Sequence, residues 1–172
     1  MRLVFSIAEA SDAPELAALQ TAASEDLTRR YGHGFWSSVA TERGVLAGMR
    51  HSRVLTARRG KKIVGTLRLQ TKKPWAIDVS YFTPVKKAIY LVGMAVLPSM
   101  QGKGIGRKVM EEAADQMRAW PADAIRLDAF DAEPGAGSFY LRCGFREVGR
   151  VVYRKAPLIY LERVLSTEEP KS

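Results

Sequence analysis

The feature that most constrains the fold of this chain is a near-continuous apolar run, residues 88–97, followed by a glycine-rich segment and an amphipathic helix. Such a run is typical of a central strand buried on both faces, and Pro98 ends it because proline cannot donate a hydrogen bond to a sheet. Residues 104–120 then repeat apolar side chains at helical spacing, and Pro121 closes the helix. The sequence therefore predicts a buried strand that leads directly into a helix packed on a sheet.

The glycine-rich segment between these two elements, residues 101–107, has the properties of a pyrophosphate-binding loop. Its backbone N–H groups are free to point at a ligand, glycine lets a phosphate approach the backbone closely, and a helix N-terminus attracts anions. The segment lacks the ending of ATP-binding loops, and its glycines are spaced differently from a dinucleotide-binding fingerprint. A flexible turn between strand and helix is the remaining alternative.

The rest of the chain predicts a mixed α/β sheet covered by helices. A first helix begins at Ser11 or Asp12 with an N-cap and capping-box pattern, and a second spans Trp36 to about Met49. Two strands separated by residues 58–62 form a plausible hairpin. The expected strands lie at residues 2–8, 54–57, 63–69, 125–130, 145–153 and 158–164, and a further helix lies at 136–143.

Length and composition suit one globular domain, because 172 residues with 47% hydrophobic content can bury a sizeable core. We expect a single domain over residues 1–165 and a disordered tail over residues 166–172. No apolar run approaches the ~20 residues that a membrane span needs, so we expect a cytoplasmic protein with no membrane partner.

The titratable residues limit the chemistry. Cys143 is the only cysteine and is accompanied by only two histidines, which argues against a disulfide framework and predicts that no metal is bound. We interpret Cys143 as a packing residue. The excess of 27 Lys and Arg over 18 Asp and Glu, a net charge of +9, favours an anionic partner such as a nucleic acid, a membrane surface or a phosphorylated cofactor.

Two motifs then resemble the GNAT superfamily of N-acetyltransferases. The first is Val96-x-Pro98-x-x-Gln101-x-x-Gly104-x-Gly106, and the second is Ala136-x-x-x-Tyr140-x-x-x-Gly144-Phe145, with Ile63-Val64-Gly65-Thr66 similar to the third strand of the family. Both motifs occur in the family's order and separation, and the resemblance covers nearly the whole chain. It implies a mixed, mostly antiparallel central sheet of about seven strands with helices on both faces.

The resemblance also implies acetyl-CoA as co-substrate. Backbone groups of Met94, Ala95 and Val96, where the family's fourth strand carries a bulge, would hold the pantetheine arm and the acyl carbonyl. The amides of Gln101, Gly102, Lys103, Gly104, Ile105 and Gly106 would bind the pyrophosphate, with the side chains of Lys103 and Arg107 available to the phosphates. Solvent exposure is the alternative role for those two side chains.

Tyr140 matches the tyrosine that donates a proton or hydrogen bond to the departing thiolate in many relatives. A phenol with a pKa near 10 is protonated at neutral pH and can act as a general acid. A half-buried tyrosine that packs its helix on the sheet is the alternative. The family often has an asparagine seven positions before this tyrosine, and in this sequence that position is Glu133. The substitution leaves a contact of this residue with coenzyme A in doubt.

The acceptor and the general base are less well defined. Many relatives use a carboxylate on the fourth strand, but residues 89–94 contain none, which leaves Tyr90, Asp128, Asp131, Glu133 or a water relay. By analogy with the family, the acceptor pocket would be lined from the two segments at residues 31–36 and 75–82. The candidate substrate-binding residues are Tyr31, Phe35, Trp36, Trp75, Tyr81 and Tyr90.

The leading hypothesis is an N-acetyltransferase in which a primary amine of a small molecule attacks the thioester directly in a ternary complex. Arg29, Arg30, Arg50 and Arg53 flank the two helices expected to wall the acceptor site, which favours an anionic acceptor. A non-catalytic acyl-CoA-binding sensor is the alternative. Nucleic-acid binding is disfavoured because no helix-turn-helix, zinc or RNA-recognition signature accompanies the charge. The sequence leaves a homodimer open.

Overall fold

The computed structural model describes residues 2–165, and the predicted tail at 166–172 lies outside the described residues. The strands are β1 Val4–Ile7, β2 Arg53–Arg59, β3 Lys62–Gln70, β4 Ala88–Val96, β5 Ala124–Phe130, β6 Arg146–Tyr153 and β7 Ala156–Val164. The helices are α1 Ala13–Tyr31, α2 Glu42–Met49, α3 Ile105–Ala119 and α4 Gly137–Arg142, with short 3-10 helices at Ala10–Asp12, Val79–Tyr81 and Pro98–Met100. No helix within residues 2–165 is long and apolar enough to cross a membrane.

The strands form one sheet in the order β1-β2-β3-β4-β5-β7-β6. β4 and β5 run parallel, with Ile89 opposite Ile125, and they are joined by a crossover that includes α3. The pairs β1–β2, β2–β3, β5–β7 and β6–β7 are antiparallel. The prediction of a mixed, mostly antiparallel sheet of about seven strands is therefore confirmed.

The described residues divide into two compact units, one of residues 2–70 with 91–113 and one of residues 71–90 with 114–165. In the first unit, Leu16 and Leu19 of α1 pack against Val54 and Ile63 of the sheet. Its β2–β3 hairpin is confirmed, and the turn is only two residues long because Arg59 pairs directly with Lys62.

The second predicted helix begins later than expected. α2 starts at Glu42 rather than Trp36, and the Thr41 side chain caps it by accepting a hydrogen bond from the Gly44 amide at 3.0 Å. The five residues before the cap instead run alongside α1. The Ser24 hydroxyl donates to the Trp36 carbonyl at 2.5 Å and accepts from the Ser38 amide at 2.7 Å. These bonds to α1 replace those of a helix.

The first helix also begins differently in detail. Asp12 is its N-cap residue, but the Asp12 side chain makes no capping hydrogen bond to α1. It accepts instead from the Glu9 amide at 2.9 Å, which forms a capping box around the preceding 3-10 helix. The expected box is therefore present one turn earlier, between Glu9 and Asp12.

Candidate active site

The turn from β4 into α3 is fixed before the glycines begin. The Leu97 amide donates to the Val64 carbonyl of β3 at 2.9 Å, and the Gln101 side-chain amide donates to the Val96 carbonyl at 3.1 Å. The Gln101 backbone N–H donates to the Pro98 carbonyl at 3.3 Å, so it is engaged within the turn. The loop that follows therefore starts from a defined position on the sheet.

The glycines of this loop leave an open concave surface at the start of α3. Gly102 and Gly104 have φ angles of +76° and +79°, in a backbone region that residues other than glycine rarely adopt. A β-carbon built at either position meets no atom within 4 Å. Among residues 2–165, none accepts a hydrogen bond from the backbone N–H groups of 102–106. Free donors, open space and the positive end of a helix together form a site for an anion.

The strand before this loop is irregular at one residue. Gly93 lies inside β4 with a φ of +62°, and its carbonyl accepts a hydrogen bond of 2.7 Å from the Gln20 side chain of α1. Met94, Ala95 and Val96 follow directly, and Ala95 packs into the core with Leu16 and Leu19. The regular extended backbone is therefore interrupted one residue before the segment expected to hold the acyl carbonyl.

Arg68 of β3 lies beside this irregularity and was not singled out by the sequence analysis. A β-carbon built at Gly93 would stand 3.4 Å from Nε of Arg68, and one built at Gly48 of α2 would overlap with its Nη1. No described residue forms an ion pair or hydrogen bond with the Arg68 side chain. The available signal in the sequence was a lone arginine inside an otherwise apolar strand.

Tyr140 of α4 is 7% exposed, and its ring packs edge-on against Phe139 and Phe145. None of the described residues hydrogen-bonds its hydroxyl. Burial raises the pKa of Tyr140, and the nearby charges of Asp128 and Cys143 raise it further. The hydroxyl therefore stays protonated through the whole physiological range, as a general acid requires.

The four candidate bases differ in their surroundings. Burial raises the pKa of Asp128, and no described side chain pairs with its carboxylate. Asp131 instead forms an ion pair of 3.0 Å with Arg150. The Tyr90 hydroxyl accepts a hydrogen bond of 3.1 Å from the buried Arg126. Glu133 is exposed, which leaves Asp128 as the partly buried carboxylate of the four that has no described partner.

Three aromatic candidates lie in the first unit, around the connection between α1 and α2. Trp36 is partly buried, and its ring N–H donates to the Gly32 carbonyl at 2.9 Å. Tyr31 is exposed at the end of α1, with the Arg30 guanidinium 5.3 Å from its ring centre. Phe35 is also exposed. Trp36 therefore fixes the connection, whereas Tyr31 and Phe35 lie at the surface.

The other three aromatic candidates lie in the second unit. Trp75 is 84% exposed, and Tyr81 is partly exposed, with its ring close against Gly149 of β6. Tyr90 is buried in a cluster with Phe82 and Tyr160, which makes it a packing residue of this unit. Trp75 and Tyr81 are the two that remain accessible.

The segment that carries Trp75 and Tyr81 is anchored to the sheet by buried polar groups. The Tyr160 hydroxyl donates to the Ala76 carbonyl and accepts from the Asp78 amide at 3.1 Å. The Glu162 carboxylate is fully buried and accepts from the Thr83 amide and hydroxyl, and from Arg146 at 2.8 Å. These contacts give the long segment at 71–87 a fixed conformation.

Within residues 2–165, no group of three or more His, Cys, Asp or Glu side chains could hold a metal ion. The arrangement offers instead an anion cradle and a three-residue strand segment in the first unit, and a protonated phenol with a nearby carboxylate in the second. These are the parts that an acyl transfer from a phosphorylated thioester to an amine would use.

Comparison with known proteins agrees with this chemistry. The sequence matches the model described as the acetyltransferase (GNAT) family over residues 14–145, which is more than half of the chain. No curated protein sequence matches it significantly.

Several solved structures share the fold. The ribosomal-protein-S18-alanine N-acetyltransferase from Escherichia coli is 16% identical with a TM-score of 0.71, covering 99% of this chain and 100% of that one. The ribosomal-protein-alanine N-acetyltransferase from Brucella melitensis is 20% identical with a TM-score of 0.72, covering 94% and 99%. The PaiA N-acetyltransferase from Thermoplasma acidophilum, in complex with coenzyme A, is 14% identical with a TM-score of 0.73, covering 96% and 100%.

Proposed function

Because the chain belongs to the acetyltransferase (GNAT) family and is an acetyl-CoA-dependent N-acetyltransferase, we propose that its acceptor is the primary amine of a small, anionic molecule. The observation that carries the cofactor part of this proposal is the open, donor-lined loop at Gly102 and Gly104. It is suited to the pyrophosphate, with Lys103 and Arg107 at its rim.

The proposed reaction is direct transfer in a ternary complex. The deprotonated amine attacks the thioester carbonyl carbon, a C–N bond forms, and the C–S bond breaks. Asp128 takes the proton that the ammonium group loses before the attack, and Tyr140 donates its phenolic proton to the departing thiolate. The nitrogen, which carries one excess proton after the C–N bond has formed, gives that proton to the Tyr140 phenolate, so the products are the neutral amide and the thiol. The raised pKa values of both groups support these roles, because a carboxylate becomes a better base and a phenol stays protonated.

A small acceptor is supported by the way the connection between α1 and α2 is held. Residues 32–41 are hydrogen-bonded along α1, with the Thr21 hydroxyl accepting from the Ala40 amide at 3.1 Å and the Thr28 and Ser37 hydroxyls 2.6 Å apart. A wall fixed before the acceptor arrives selects by shape and loses little entropy on binding. The net charge of +9 favours an acceptor that carries an anionic group.

An acceptor screen at low and moderate salt tests this proposal. Amino acids and related carboxylated amines, polyamines, and lysine-rich or ribosomal N-terminal peptides are each offered with acetyl-CoA, and thiol release is followed. The proposal expects the carboxylated amines to have the highest kcat/KM, with an advantage that shrinks as salt rises. Polyamines or peptides outcompeting them would refute the acceptor assignment.

A further inference from the structure

We propose that Arg68 is the residue that binds the carboxylate of the acceptor, at a site formed by α1, α2, β3 and the irregular residue of β4. The inference rests on the proposed function, since it names the group that recognises the acceptor's negative charge. It uses only residues of the first unit.

Arg68 lacks an anionic partner of its own among the described residues. Elsewhere in the described chain, Arg58 pairs with Asp12 and Arg146 pairs with Glu162. Arg68 is partly buried, burial lowers the pKa of its guanidinium, and no described carboxylate offsets that desolvation. A desolvated cation without a counterion costs stability, and a bound anion would recover that cost.

The fold makes room for the Arg68 guanidinium at two glycines. Its position lies against Gly48 of α2, where any larger residue would overlap with Nη1, and beside Gly93 of β4. Glycine in a helix costs up to about 1 kcal/mol relative to alanine. Gly48 therefore keeps space for the Arg68 guanidinium at the expense of the stability of α2. The Gln20 side-chain amide also lies at Gly93, 3.7 Å from a β-carbon built there, and is held by its bond of 2.7 Å to the Gly93 carbonyl.

The position of Gly93 along β4 relates the Arg68 site to the proposed cofactor segments. Gly93 lies one residue before Met94, the start of the segment proposed to hold the acyl carbonyl. The pyrophosphate loop begins only at Gly102, beyond the end of the strand at Val96 and a further turn. Three strand residues alone span about 10 Å, so Arg68 is displaced from the cofactor's phosphates toward the acetyl end. Its anion is therefore supplied by the acceptor.

The chemistry of the group selects a carboxylate. One guanidinium presents a planar fork of N–H donors that matches a single carboxylate in bidentate geometry, whereas a phosphate dianion calls for more than one cation. The two residues placed beside the Arg68 guanidinium, Gly48 of α2 and Gly93 of β4, are glycines and bring no second cation to it. The predicted acceptor is an amine whose carboxylate lies a short distance from its nitrogen, as in an amino acid.

The test compares amino acids with their α-amides, which keep the side chain and amine but replace the carboxylate by a neutral carboxamide. Both are assayed as acceptors with the wild-type protein, Arg68→Met and Arg68→Lys. The acid-to-amide ratio of kcat/KM is compared across variants, so the different basicity of the two amines cancels. Arg43→Met is the matched control, because it removes one positive charge from an exposed position of α2.

The expected result is a fall of about 30- to 1000-fold for the acid in Arg68→Met, with less than about threefold change for the amide. Arg68→Lys should keep part of the preference, and Arg43→Met all of it. Gly48→Ala, which displaces the guanidinium without removing its charge, should also lower the ratio. Equal losses for acid and amide would overturn the inference, because they would assign Arg68 to the acetyl carbonyl or to folding.

A binding measurement separates this inference from the proposed function. Calorimetry of the amino acids against the coenzyme-A-saturated protein should show binding to wild type and Arg43→Met, and at least tenfold weaker binding to Arg68→Met. If no amine is acetylated but this difference is seen, the proposed acceptor chemistry fails and the carboxylate site stands. If Arg68→Met binds the amino acids as wild type does, the carboxylate site is refuted, whatever the turnover.

Discussion

Replacing Gly104 with alanine tests the pyrophosphate loop at a single methyl group. The φ of Gly104 is +79°, and open space surrounds the position where a β-carbon would stand. The methyl group therefore meets no protein atom, but it occupies the surface where a phosphate oxygen would approach the backbone donors. The substitution should weaken acetyl-CoA binding through the ligand and destabilise the fold through the backbone, and these two effects can be separated.

The magnitudes follow from the geometry. An alanine held at a left-handed φ costs about 1–2 kcal/mol, which for a chain of this size lowers Tm by roughly 2–8 °C. A hydrogen bond to a charged acceptor contributes about 1.5–3 kcal/mol, so displacing one phosphate oxygen from its donor should weaken binding about 10- to 150-fold. Calorimetry below Tm reports binding to the folded protein. The loss of acetyl-CoA affinity should therefore come from the displaced phosphate contact and not from the lower unfolding free energy.

Gly60 supplies the matched control. It lies in the β2–β3 turn with a φ of +60°, and a β-carbon there also meets nothing within 4 Å. Calorimetry with acetyl-CoA should show near wild-type affinity for Gly60→Ala and the large loss only for Gly104→Ala, although both lose stability. Acetyl-pantetheine, which lacks the pyrophosphate, should bind both variants alike. Affinities for acetyl-CoA within twofold of each other would refute the assignment of the loop.

Three further predictions concern the second unit. Tyr140→Phe should lower kcat by about 10- to 1000-fold with little change in acetyl-CoA affinity. Because burial raises the pKa of Tyr140, loss of the phenolic proton should not lower the wild-type kcat below pH 10. Asp128→Asn should lower kcat by about 100-fold or more. Since burial raises the pKa of this carboxyl, the acid limb of the wild-type pH–kcat profile should lie above pH 3.8. An unchanged pH–kcat profile in Asp128→Asn would exclude Asp128 as the base. Burial raises the pKa of Glu162, but hydrogen bonds from Thr83 and Arg146 outweigh it and leave the pKa below its ordinary value of 4.5. The ionised form is therefore favoured by folding, so its contribution is present above pH 4.5 and is lost as pH falls through the lowered pKa, and Glu162→Gln should cost about 1–3 kcal/mol in urea unfolding at pH 7 and much less at pH 3.

The local signals in the sequence predicted the elements that depend on neighbouring residues. The apolar strand, the glycine loop and the helix after it form one continuous segment, so periodicity and glycine spacing define them. The β2–β3 hairpin is similar, because its turn lies between two β-rich runs. The predicted start of the second helix at Trp36 was wrong because Ser24 and Thr21 of α1 hydrogen-bond the residues that precede Thr41.

Arg68 shows why part of the site could not be predicted. The glycines beside its guanidinium come from positions 48 and 93, and Gln20 binds the Gly93 carbonyl, an arrangement that is made only by the packing of α1, α2 and β4. Its lack of an ion-pair partner is likewise a property of the folded chain. The φ of +62° at Gly93 could not be predicted from the sequence either, since glycine in an apolar run does not by itself indicate a left-handed backbone conformation.

Acetyl transfer to an amine by direct attack in a ternary complex is tested most directly by a two-substrate kinetic analysis with product identification. Acetyl-CoA and the best acceptor of the screen are varied together, thiol release is followed, and the acetylated amine is quantified by mass spectrometry. Direct transfer predicts intersecting double-reciprocal lines, one acetylated amine for each thiol released, and no acetyl group on the protein when the acceptor is omitted. Parallel lines with a stable acetyl-enzyme, or thiol release without any acetylated amine, would contradict it.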